Sequence, residues 1–293
     1  MPIGTIFGSI CLSVVLFLAS YLSGLLPLKI PLNSHRINLA SFLSMGVITG
    51  TALMMALPES IEVLYDQNAD FAKKYVGPCL LGGFMFMFII DHLSIIFHSL
   101  GLGTFTAYKP LSEKLSLLEL LKSVITTPLT LGLAFHALVD GLSLGSSFHS
   151  NGDGNKINIV FFLVIIVHKL PTCFSLTSLL LKEDMDYSLI KFHLLIFALV
   201  TPISSIISSV FLSFLKKNNE TIIGVLLVFS SGNFFYVVSH IFKENLTKHQ
   251  LPDSRDSSET VIEVQSDIGL SEYMATILGV FITVIIAILG SDH

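Results

Sequence analysis

The sequence predicts an all-α fold, that of a polytopic membrane protein with eight transmembrane helices. Two features of composition and one of pattern carry that prediction. Of 293 residues, 52% are hydrophobic and only 13% charged, roughly half the charged share of ordinary soluble domains, and the mean hydropathy is +0.79. The pattern is a series of eight apolar runs, each near the ~20 residues that a helix needs to cross a hydrocarbon core. So little chain lies between them that residues 1–293 are read as a single transmembrane domain.

The first run, 3–26, is long for the core of a signal peptide and follows no basic leader or small-residue cleavage site, so it is read as a retained helix. The second, 38–59, ends on Pro58 and Glu59, and the third, 76–100, carries Asp91, His92 and His98. The fourth, 124–149, holds His136 and Asp140 with a small-residue ladder, Ala137, Gly141 and Gly145, which permits close helix approach. The fifth, 157–181, holds His168, Lys169, Pro171 and Thr172. The sixth, 189–215, and the seventh, 222–242, carry His193 and His240, and the eighth is 273–289. His98, His193 and His240 are read as packing residues, and Met54 and Met55 likewise. Glu59 and the Asp91–His92 pair are secondary candidates for an ion path.

Between the runs, 111–121 has apolar residues at helical spacing with charges between them, as a short interfacial helix would. The segment 243–272 is expected to be a flexible cytosolic loop, because its 250–267 stretch is rich in Ser, Asp and Glu. Five of the 16 Lys and Arg (Lys73, Lys74, Lys156, Lys216 and Lys217) fall on one side of an eight-span arrangement. Ten fall on the other, and Lys169 lies within the membrane. The positive-inside rule therefore puts the odd-numbered loops in the cytosol and both termini outside it. Asn219, in Asn219-Glu220-Thr221, becomes a lumenal glycosylation candidate, while the sequon at Asn245 faces the cytosol. No basic block indicates nucleic acid. The three cysteines fall within spans and form no CxxC pair, so neither a disulfide framework nor a thiolate metal site is indicated.

The chemistry is concentrated in spans four and five. An ionised group at a bilayer centre costs roughly 2.5–3.5 kcal/mol on insertion scales, so such residues persist where they line a path or bind something. His136 and Asp140 are four residues apart and share a helix face, which lets an imidazole nitrogen and a carboxylate oxygen address one point. His168 can add a third ligand, completing a His, Asp, His set suited to Zn²⁺ and tolerant of other first-row divalent ions. Thr172 places a neutral oxygen where a second carboxylate would strengthen the site. Lys169, about twelve residues from either end of its span, is too deep to reach water easily and is expected to pair with Asp140. Its ammonium would then occupy the place of a second cation, leaving one transported metal per site. Pro171 and Gly141 soften each helix beside its polar cluster.

These residues resemble the ZIP family of metal permeases, whose fourth helix carries His-x-x-x-(Asp/Glu)-Gly and whose fifth carries His-x-x-Pro. Gly50-Thr51-Ala52-Leu53, Leu57-Pro58-Glu59, His136 to Gly145, His168-Lys169-x-Pro171-x-x-Phe174 and Phe197-Ala198-Leu199 are similar to the Golgi-type branch, related to the mammalian ninth ZIP member. The resemblance implies eight helices, outward termini, homodimerisation, and movement of zinc or manganese into the cytosol from a Golgi lumen or, alternatively, across the plasma membrane. His136, Asp140 and His168 then match the primary-site ligands. The acids of the family's second site are replaced by Thr172 and by Thr201, before Pro202, so a two-metal site is not expected. The metal is substrate and no resident cofactor is implied. The sequence-level rivals are an intramembrane zinc hydrolase with a metal-activated water and a non-transporting membrane receptor.

Overall fold

The computed structural model describes residues 3–29, 33–92, 116–150, 155–214, 220–248 and 269–291. Every regular element among them is helical. In chain order these are α1 (Ile3–Lys29), α2 (Ser34–Thr51), a π-helical turn (Ala52–Ala56), α3 (Leu57–Gln67), α4 (Ala69–Asp91), α5 (Leu117–Thr126), α6 (Pro128–Ser150), α7 (Asn155–Lys182), α8 (Tyr187–Phe214), α9 (Glu220–Lys248) and α10 (Leu270–Ser291). Among the described residues eight helical rods are long and apolar enough to span a bilayer, α2, the π turn and α3 together making one of 33 residues, His35–Gln67. Helices satisfy their backbone groups internally, which is what permits them in hydrocarbon.

The π turn has a local cause. Pro58 lacks an N–H and its ring crowds the carbonyl of Met54, so the rod widens one turn before the proline, with the Leu57 N–H bonded back to the Ala52 carbonyl. Ser231 on α9 donates to the Ala56 carbonyl at 3.1 Å. The helix therefore continues past the expected end at Glu59 as far as Gln67. Asn68 stops it in extended backbone and at once caps α4, its side chain accepting from the Phe71 N–H at 3.0 Å. The third span thus starts at Ala69 rather than 76.

The fourth span also departs from expectation. Thr127, held extended at φ −98° and ψ 103° as residues before proline tend to be, separates α5 from α6. Ser116 and Glu119 close a capping box on α5, and the Ser116 N–H donating to Glu119 at 2.7 Å holds that carboxyl below its ordinary range. α5 leaves Leu117, Leu118 and Ile125 exposed, as an interfacial helix would. α9 runs on to Lys248 and α10 starts at Leu270, so the expected 243–272 loop is helical at both margins. The 250–267 stretch, His98 and the candidate Asn219 lie outside the described residues.

Packing sorts the spans by burial. Of the α6 span 67% is buried within the protein, but of α4 only 11%, so α6 belongs to the interior and α4 offers Leu81, Met85 and Ile89 to lipid. α6 lies along α8 at the closest approach glycine allows. A Cβ on Gly141 would strike Thr201 and Ser204, and one on Gly145 would strike Ser205, Ser208 and Ser209. The gap is tied by Ser208 donating to the Leu142 carbonyl at 2.9 Å and Thr201 to the Ala137 carbonyl at 2.8 Å. α7 packs beside α6 and against α1 and α2, so the polar faces of α6 and α7 meet in the interior.

Candidate metal centre

Helical periodicity builds the site. His136 and Asp140 project one turn apart from α6, and α7 brings His168 to the same carboxylate. Asp140 Oδ2 lies 3.4 Å from His136 Nε2 and 3.3 Å from His168 Nε2. One ligand atom from each residue falls within 4.8 Å of the other two, and all three residues are buried. Ligands held tetrahedrally at Zn–N and Zn–O distances of about 2.0–2.1 Å are about 3.3–3.4 Å apart. Two of the three edges of the cluster therefore already have the separation that a bound ion would impose.

Around this point the hydrogen bonding is incomplete. His136 Nδ1 pairs with the Ser230 hydroxyl at 3.0 Å, which turns Nε2 inward, and the ring packs 4.6 Å from that of Phe234. His136 Nε2 and His168 Nδ1 are buried without a hydrogen-bond partner. Orphaned ring nitrogens are uncommon in a protein interior, and the one on His136 faces the shared carboxylate. The set could hold one divalent cation, with two imidazoles, one carboxylate and an open position for water.

Lys169 departs from expectation. His168 and Lys169 are successive residues and leave the helix in directions about 100° apart, so while His168 meets Asp140, Lys169 faces α8. Among the described residues its ammonium donates to the Thr201 hydroxyl and, at 3.5 Å, to the Phe197 carbonyl, and it sits 4.5 Å above the Phe197 ring. The ion-pair partners of Asp140 are His136 and His168, not Lys169. Thr201 passes the connection on by donating to the carbonyl of Ala137, beside His136. Thr172 donates to the His168 carbonyl at 2.6 Å, so its hydroxyl is engaged one turn along α7. Glu59, in the first turn of α3, is half-buried and outside the three-residue cluster.

The other intramembrane histidines separate clearly. His193 is fully buried with both nitrogens used, by Ser123 at 3.0 Å and Thr130 at 2.8 Å, the arrangement of a packing residue. His240, also read as packing, instead stands 3.2 Å from Asp91. Ser230 was missed from sequence, although the polar run Ser230-Ser231-Gly232-Asn233 inside an apolar span is a signal that could have found it. The three cysteines are unbridged.

The sequence matches the family described as ZIP zinc transporter over residues 8–114 and 112–287. It is similar to zinc transporter ZIP9 of Xenopus tropicalis, 29% identical over 327 aligned positions that cover 98% of this chain and 99% of the relative. Zinc transporter ZIP9-A of Xenopus laevis is 28% identical with the same coverage. Zinc transporter ZIP9 of Micropogonias undulatus is 26% identical over 98% of this chain and 99% of its own length.

Proposed function

This chain belongs to the ZIP zinc transporter family, and from that premise we propose that it carries a divalent metal ion, zinc or manganese, through the membrane by way of His136, Asp140 and His168. The observation that carries the reading is the convergence of these three buried ligand atoms from α6 and α7 on one point. Family membership makes the chain a membrane transporter rather than an enzyme and sets the hydrolase aside. The direction, into the cytosol from a Golgi or other secretory lumen, rests on the family resemblance; the orientation that leaves Asn219 lumenal, and so open to glycosylation, rests on the distribution of Lys and Arg. A homodimer in the Golgi membrane is the assembly this reading carries, with the plasma membrane as the alternative.

The ion is substrate, and the site is suited to releasing it. One carboxylate neutralises half of a divalent charge, the two imidazoles are neutral donors, and the remaining positions are left to water. A binding site on a transport path must be strong enough to fill and weak enough to empty. The site opens to one face of the membrane and then the other, as the softened helices at Gly141 and Pro171 allow.

Lys169 sets the number of ions. Its ammonium, held on Thr201 where the family carries an acid, adds a positive charge close to the site and excludes a second cation. Lys169→Met keeps the volume and removes that charge. Because like charges in a low-dielectric interior repel by several kcal/mol, the variant is expected to bind zinc at least about tenfold more tightly and to release it more slowly. Unchanged affinity and uptake at equal protein level would remove Lys169 from the account.

Transport itself is tested by reconstituting the purified protein in vesicles and following Zn²⁺ and Mn²⁺ entry for wild type and for His136→Ala at matched abundance. Saturable entry that disappears in the variant supports the reading, and competition between the two ions ranks them. Absence of flux for either ion in folded protein would refute it.

A further inference from the structure

None of the three clustered ligands comes from α9, yet α9 holds one of them on two sides. Ser230 and Phe234 are four residues apart on α9 and so share a helix face. His136 of α6 lies against both. Its Nδ1 is 3.0 Å from the Ser230 hydroxyl, and its ring centroid is 4.6 Å from that of Phe234. Ser230 and Phe234 are buried, so this seat is closed to solvent and lipid.

Neighbouring side chains fix the seat. A serine inside a helix often turns its hydroxyl back on the carbonyl four residues earlier, and Ser231 does so, at 3.1 Å from the Leu227 carbonyl. The same hydroxyl meets the Ala56 carbonyl at 3.1 Å and the Ser60 hydroxyl at 3.0 Å, which ties α9 to the π turn and α3. Asn233 ties it to α6, its Nδ2 donating at 3.1 Å to the carbonyl of Gly132, one turn before His136. These bonds set the rotation of α9 and its register on α6, with Ser230 directed at the imidazole. His168 differs. Its Nδ1 is buried without a partner, so the bond that orients its ring is the one to Asp140 at 3.3 Å.

We propose that Ser230, braced by Phe234, is a positioning residue for metal binding that fixes His136 as an Nε2 ligand. A neutral imidazole carries one N–H and one lone pair. With Nδ1–H donating to the Ser230 hydroxyl oxygen, the lone pair lies on Nε2, the nitrogen that faces Asp140 Oδ2 at 3.4 Å. The ring then meets an ion in the required tautomer and orientation, and the ordering that binding would otherwise demand is already done. His136 is the fixed ligand of the set and His168 the one free to turn. The proposal rests on the reading of His136 as a ligand.

Zn²⁺ titration of the purified full-length protein tests it, comparing wild type, His136→Ala, Ser230→Ala and Ser230→Thr. Ser230→Ala is expected to weaken binding at least about tenfold, and Ser230→Thr, which keeps the hydroxyl, to stay within about threefold of wild type. A serine that served packing alone would lower the thermal midpoint in the Ala variant and leave the zinc affinity of the folded protein as it was; that result would overturn the proposal. Nitrogen-15 NMR of histidine-labelled, zinc-loaded wild type needs no change at Ser230. It is expected to show His136, assigned by the signal lost in His136→Ala, bound through Nε2 with the proton on Nδ1. Coordination through Nδ1 would overturn the proposal. Should His136→Ala bind zinc as wild type does, the ligand reading itself fails, whereas lost binding in His136→Ala with full binding in Ser230→Ala removes Ser230 alone.

Discussion

Asp140→Asn is expected to reduce zinc binding and zinc uptake at least about 100-fold while leaving the protein folded. The amide has the shape of the carboxylate, so packing of α6 against α7 and α8 is retained, but the group facing both His136 and His168 loses its charge. A cation in a buried site depends on that charge, and losing one partner of a buried ionic contact costs about 3–5 kcal/mol, which converts to a factor of 100 or more. Titration of metal into detergent-purified protein and uptake into vesicles read the two effects separately. An Asn variant within threefold of wild type in both would mean that the ion is held elsewhere.

The second large effect is expected at Gly145, which supplies no ligand. Gly145→Val places three carbons where Ser205, Ser208 and Ser209 of α8 already stand. The helices cannot simply move apart, since Ser208 and Thr201 tie α8 to carbonyls of α6. Between helices in lipid the packing itself supplies much of the association energy, and overpacking costs about 1–3 kcal/mol or more where backbone is struck. The expected result is a marked loss of folded protein and a lower thermal midpoint, with Gly145→Ala intermediate and the zinc-to-manganese ratio of the surviving protein unchanged. A Val variant with the wild-type midpoint would show that the α6–α8 approach is looser than its geometry indicates.

How much was legible in the sequence depends on the physics at each residue. Apolar length announces a span, so all eight were countable before any coordinates. Their ends were less legible because single polar residues decide them. Asn68 both stops α3 and starts α4, and Thr127 before Pro128 splits α5 from α6; neither changes local hydropathy enough to be noticed. At the site, the four-residue spacing of His136 and Asp140 fixes a shared face from sequence alone, whereas the approach of His168 depends on how α7 is rotated against α6. That rotation also decides the fate of Lys169. Its charge was visible in the sequence, but its seat on Thr201, 32 residues away, follows from packing against α8. Ser230, 94 residues from the histidine it holds, was hidden for the same reason.

Zinc K-edge X-ray absorption on protein loaded with one equivalent of Zn²⁺ tests the central claim most directly, because it reads the ligands themselves. The account predicts nitrogen and oxygen scatterers at about 2.0–2.2 Å, with the multiple-scattering signature of two imidazoles falling to one in His168→Ala. Sulfur at about 2.3 Å, or an imidazole signature unchanged in that variant, would contradict it.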